Sequence, residues 1–231
     1  MPKRFEEELV ELKKCILKMG NLVEAAISKS IKALLDRDVR LAEEVIGADD
    51  DINTIEIIID EKCLDLLALR QPVAVDLRFI AAVMKMNSEL ERMGDLAVNI
   101  AETAKYLATQ PELKISLDFA KMMEFTQKMV RESLDALVNR DSKLARIICL
   151  EDDVVDNLKK QMFLELLKHM KEDPETIERS THLMLVSRHL ERIADQATNI
   201  AEDVVYLVEG KIIKHHAEDR CILPADLFQK K

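Results

Sequence analysis

Two carboxylates four residues apart on a helix can share a cation, and this chain carries such pairs in duplicate. Glu91 and Asp95 stand in the dodecapeptide Glu91 to Glu102, which returns one hundred positions later as Glu191 to Glu202, with Glu191 and Asp195 in the same places. Eight of the twelve positions are identical, and Tyr106 and Tyr206 match further on, so the chain contains an internal duplication. On a helix, Glu91, Asp95, Asn99 and Glu102 fall within about 80° of one another, opposite Met93, Leu96, Ile100, Ala104 and Leu107. Taken alone, such a stripe reads as a solvated face carrying Arg92–Asp95 and Arg192–Asp195 ion pairs, because like charges at this spacing cost only about 0.2 to 0.5 kcal/mol per pair.

A second set of residues changes the weighing. Asp49 and Asn53 correspond to Asp152 and Asp156 at an offset of 103 residues. If the chain folds back at Pro72, Asp49 comes level with Asp95 and Asn53 with Glu91. If it folds back at Asp173-Pro174, Asp152 comes level with Asp195 and Asp156 with Glu191. Helices in contact lie about 8 to 10 Å apart, so side chains from both can meet over one ion. The donors are all oxygen, which suits hard or borderline cations such as Mg, Mn, Ca or Fe.

The elements that must position these groups are helices. The 231 residues include only four glycines and five prolines, 3% aromatic residues and no tryptophan, and are 48% hydrophobic. That composition predicts an all-α chain with a substantial core. Apolar periodicity predicts six long helices, over about 3–35, 39–70, 73–109, 117–138, 142–171 and 174–209. Gly47 is the weak point of the second, and Pro72 and Pro174 suit first turns. The expected organisation is two repeated three-helix bundles packed side by side: a first repeat over 1–110, a linker over 111–116, a second repeat over 117–210 and a tail over 211–231.

Net charge is −10, which argues against a nucleic-acid surface. No apolar run approaches the roughly 18 residues of a membrane span and the N-terminus lacks a signal-peptide core, so a cytoplasmic chain without membrane insertion is expected. The four cysteines are widely separated, which points to reduced, buried thiols. None of the five histidines follows a glutamate by three residues, so the Glu-x-x-His element of di-iron enzymes is missing. His215 and His216, beside Lys214, read as a solvated tail, and residues 219–231 as a frayed end.

The duplicated Glu-Arg-x-x-Asp-x-Ala-x-Asn-Ile-Ala-Glu motif closely resembles that of the PhoU family. The Arg-Asp-x-x-Leu-Ala helix starts at Arg37 and Arg140, the Asp-rich turns near Asp49 and Asp152, and the Tyr206 to Gly210 stretch extend the resemblance over residues 3–217. The resemblance implies a non-enzymatic cytoplasmic adaptor of the phosphate-specific ABC transporter, built as two three-helix bundles. It implies negative regulation of phosphate signalling through the transporter ATPase subunit and a phosphate-sensing histidine kinase, and a homodimer. Family members bind multinuclear metal clusters through (Glu or Asp)-x-x-x-Asp motifs, a pattern that carries onto Glu91 and Asp95, Glu191 and Asp195, and Asp152 and Asp156. Asn53 departs from it, which lowers the expected affinity of the first site, whose residues are Asp49, Asn53, Glu91 and Asp95. Divalent or trivalent Fe, Mn, Mg or Zn is the expected metal. A carboxylate-bridged metal store or metalloenzyme is the alternative.

Overall fold

The two repeats enter their middle helices by the same turn. Arg37 and Arg140 take left-handed backbone angles, with φ 54° and 53°, a conformation that residues other than glycine and asparagine seldom adopt. The following aspartate amide then reaches back, Asp38 N to Ala33 O at 3.0 Å and Asp141 N to Ala136 O at 2.9 Å. Each aspartate next caps the new helix, accepting from Arg40 N and Leu41 N in one repeat and from Lys143 N and Leu144 N in the other.

The computed structural model describes residues 2–213. The helices are α1 (Pro2–Asp36), α2 (Val39–Gly47), α3 (Asp49–Arg70), α4 (Ala74–Ala108), α5 (Phe119–Asn139), α6 (Ser142–Glu172) and α7 (Ile177–Glu209), with a 3-10 turn over Pro174–Thr176 before α7. All of the described regular structure is helical. The long second helix expected from periodicity is divided at Ala48, beside Gly47, into α2 and α3. The break makes Asp49 the first residue of α3, with Asp50 and Asp51 behind it, where the partial positive charge of a helix N-terminus favours carboxylates. In the second repeat α6 runs through the corresponding region unbroken. Pro72 stands ahead of α4 rather than in its first turn, because Val73 is extended and the helix opens at Ala74.

In the first repeat α1, α2, α3 and α4 pack together, and in the second α5, α6 and α7 do; α1 also packs on α5, and α4 on α7. One contiguous core runs through both, including the fully buried Ile16, Ile27, Met86, Leu90, Leu190 and Ile200. Burying each such side chain contributes roughly 1.5 to 3 kcal/mol, so the apolar faces of α4 and α7 dictate which sides of those helices remain for the carboxylates. Met86, Met122 and Met129 are buried, and Met84 and Met123 pack partly buried against the same core.

Within the first repeat, the Arg37 guanidinium donates to the carbonyls of Ala108, at 3.0 Å, and Gln110, past the end of α4. Other polar contacts fasten the two repeats. The Tyr106 hydroxyl donates to Glu178 at 2.6 Å, and its ring lies 4.4 Å from that of His182. Near Tyr206, at the other end of the seam, Lys85 reaches Asp203 at 3.5 Å. Among the described residues, no helix is long and apolar enough to cross a membrane. His215, His216 and the tail over 219–231 lie outside the described residues.

Candidate functional site

The first carboxylate group lies along the α3–α4 hairpin, and two contacts set its register. Asn87, fully buried on α4, donates its amide to the Glu56 carbonyl and to Asp60 Oδ1, both at 2.9 Å. One helical stretch further on, Gly94 lets the backbones close: a Cβ there would stand 3.1 Å from Ile52 Cδ1 and 3.7 Å from Asp49 Oδ1. The glycine costs α4 about 1 kcal/mol of helix propensity, and the close approach it permits explains its presence. Asp49, Asn53, Glu91 and Asp95 are thereby brought to one face, where Asp95 acts on Asp49 and both act on Glu91.

Electrostatics shows that the acids sense each other. Desolvation raises the Asp49 pKa above its ordinary value; the Asn53 hydrogen bond opposes this, and Asp95 and Asp50 add to it. Asn53 Nδ2 donates to Asp49 Oδ2 at 3.0 Å, while Asp49 Oδ1 is buried without a partner. Glu91 is raised by desolvation and by Asp95, Glu56 and Asp49, with Arg92 pulling slightly the other way. Glu56 is raised by desolvation and by Asp60 and Asp95. Glu56 is thus a member of the group that the four-residue pairing rule passed over. It follows Asp49 by seven residues, two helical turns, and that spacing was available in the sequence.

The second group lies on α6 and α7 and holds the four predicted acids together. Asp152 is pushed up to about 6 by desolvation first, then by Asp195, Asp156, Glu191 and Asp153. Asp195 lies at the open rim, yet the helices around its carboxyl desolvate it and, with Glu191 and Asp156, raise it; Lys159 and Arg192 act in the opposite direction. Lys159 Nζ meets Glu191 Oε1 at 2.6 Å. Lys159 is the repeat counterpart of Glu56, so the two groups differ in sign at one matched position. Arg92 turns to Glu89, at 3.9 Å, rather than to Asp95 as the solvated-stripe pattern predicts.

The donor chemistry fits a hard cation in both places. Like charges accumulate on a partly desolvated surface, and the first group holds a buried acceptor oxygen, Asp49 Oδ1, without a partner among the described residues, a feature polar satisfaction rules leave to an ion or water. Among the described residues, no three acidic, histidine or cysteine side chains already stand in metal-holding geometry. Closing on an ion therefore requires carboxylate rotamer changes, which half-exposed side chains make readily. Burial pushes the Cys63 thiol up to about 12 and the Cys149 thiol to about 11, so both are neutral in the metal-free chain.

The sequence model of the PhoU domain matches residues 16–104 and 119–204. The chain belongs to the PhoU family. The phosphate-specific transport system accessory protein PhoU homolog of Aquifex aeolicus is 46% identical over 209 residues, covering 90% of this chain and 95% of that protein. The homolog of Pseudomonas aeruginosa is 40% identical over 213 residues, covering 92% and 88%. Among solved structures, PhoU from Pseudomonas aeruginosa superposes with a TM-score of 0.86 at 41% identity, covering 90% of this chain and all of that one. The phosphate transport system regulatory protein PhoU from Streptococcus pneumoniae does so with a TM-score of 0.82 at 33% identity, covering 90% and 98%. The two matched PhoU segments contain both carboxylate groups, one in each.

Proposed function

We propose that the chain is a regulatory accessory protein of phosphate-specific transport, acting in the cytoplasm as a negative regulator of phosphate-starvation signalling. Its partners in this proposal are the ATPase subunit of the phosphate ABC transporter and the phosphate-sensing histidine kinase. The observation that carries the role is the similarity to named accessory proteins over nine-tenths of the chain. The carboxylate groups add a chemical part: Asp49, Glu56, Glu91 and Asp95 in one repeat, and Asp152, Asp156, Glu191 and Asp195 in the other, hold divalent or trivalent metal. Bound metal supplies positive charge that offsets the mutual repulsion of these acids and offers a rigid, charged patch to a partner.

The role is tested by capture of the transporter ATPase subunit and of the kinase's cytoplasmic portion on the purified chain, with metal and with chelator. Binding to either, with micromolar or tighter affinity by calorimetry, is expected; binding to neither in both conditions overturns the adaptor role. Elemental analysis of the purified protein tests the metal part separately. Stoichiometric metal that is lost in Glu191→Ala/Asp195→Ala or Glu91→Ala/Asp95→Ala supports it, and metal retained in all variants overturns it. Rapid ferroxidase or phosphate-ester turnover would replace the adaptor by a metalloenzyme.

A further inference from the structure

The two carboxylate groups share a plan but differ where Glu56 of the first repeat is matched by Lys159 of the second. The three positions of the middle helix read Asp49, Asn53, Glu56 in the first repeat and Asp152, Asp156, Lys159 in the second. Each group therefore contains four acids once Glu56 is included, and only the second carries a cation of its own at the matched position. Lys159 Nζ, 2.6 Å from Glu191 Oε1 on a carboxylate that is largely covered, takes one of the oxygens an incoming ion must recruit. Its charge acts on Asp195 as well. In the first group the charge at the same place is negative, and Asp49 Oδ1 is buried with no partner.

We propose that Lys159 is a built-in counter-cation that makes the two sites unequal, so that the first site takes up a divalent ion ahead of the second. The inference rests on the metal assignment made above. Two features act against it and are smaller. Asn53 removes an acid and ties up Asp49 Oδ2, but it is neutral and keeps its own carbonyl oxygen for an ion. The N-terminus of α3 opposes a cation with about half an elementary charge spread over a turn, against the full charge of Lys159. The arginines at matched positions, Arg92 and Arg192, do not distinguish the sites by charge. The order of filling predicted from Lys159 is the reverse of that expected from Asn53 alone.

The test is a Mn2+ titration of the metal-stripped full chain, with free ion counted by electron paramagnetic resonance. Wild type is expected to show a tighter class of sites lost in Glu91→Gln/Asp95→Asn and a weaker class lost in Glu191→Gln/Asp195→Asn. Lys159→Gln tightens the weaker class by about tenfold, the scale on which ligand charge tunes all-oxygen sites, and leaves the tighter class alone. Lys159→Met, which keeps the aliphatic stem, does the same. Glu56→Gln weakens the tighter class by a similar factor. A tighter class that maps to Glu191 and Asp195, or a weaker class indifferent to both Lys159 variants, overturns the inference while the metal assignment stands. Mn2+ binding that survives both double carboxylate variants removes the metal assignment itself and the inference with it.

Discussion

Replacing Asp152 with asparagine is expected to stabilise the metal-free protein, although it changes a residue at the proposed site. The carboxyl is pushed up to about 6 from an ordinary value of 3.8, so the folded chain holds its proton more tightly than the unfolded chain does. The stability this contributes is fully present below about pH 4 and is lost as pH rises through 6. At pH 7.5 the folded state bears the whole penalty, which at about 1.36 kcal/mol per pH unit reaches at most about 3 kcal/mol. Part of that is screened at a half-exposed position, and a buried amide carries its own desolvation, so about 1 to 2 kcal/mol should be recovered. For a chain of this size that raises Tm by about 2 to 8 °C. Thermal unfolding in chelator at pH 5.0 and 7.5 is the assay, with the gain of Asp152→Asn clearly larger at pH 7.5. A variant no more stable than wild type at pH 7.5, or one whose gain is equal at both values, would refute the assignment of repulsion and desolvation to this carboxyl. With saturating metal the order inverts, because the aspartate then has a counter-charge and the asparagine has lost a ligand charge.

Three further outcomes follow from packing and can be read by urea unfolding. Gly20→Ala should destabilise by about 1 to 3 kcal/mol, since the new Cβ would lie 2.1 Å from Leu134 Cδ1 across the α1–α5 contact and Leu134 must move into a filled core. Gly47→Ala, with nothing within 4 Å of the added methyl, should stabilise by about 0.5 to 1 kcal/mol through helix propensity. Asn87→Ala should destabilise by about 1 to 3 kcal/mol, because it withdraws a buried donor from both the Glu56 carbonyl and Asp60; the same variant should weaken Mn2+ binding at the first site and leave the second unchanged.

Much of the architecture was legible because the information is repeated. The Arg-Asp helix starts, the apolar periodicity and the two prolines together predicted the long helices and brought all eight candidate ligands into two groups. The division at Ala48 was not, since Gly47 weakens a helix without saying whether it bends, breaks or continues; that depends on how α2 and α3 each meet α4. Asn53 reads as a lost charge under four-residue pairing, and the structure supplies the missing acid as Glu56, which acts on Glu91 and is acted on by Asp95. Lys159 was hidden for the converse reason: a lysine amid acids on an amphipathic helix reads as a solvated residue until its distance to Glu191 is known. Asn87 carried no signal at all, as its counterpart is Ser187, whose hydroxyl bonds instead to the Met184 carbonyl at 2.8 Å.

The seam between the repeats joins two helices of the first to their own counterparts in the second, α1 to α5 and α4 to α7. That is the arrangement of a two-fold symmetric dimer, in which one patch faces a copy of itself. Here the copies are joined by the chain over 109–118, so their association no longer depends on concentration and the linker sets a high effective concentration for it. Covalent joining also releases the halves from identity. In a true homodimer, a lysine at one site would be imposed on both; in this chain Lys159 appears once, Tyr106 meets Glu178 while Tyr206 meets Lys85, and Gly94 answers Ala194. The linked pair can hold two versions of one site in a fixed mutual orientation, which no symmetric assembly of a single half could do.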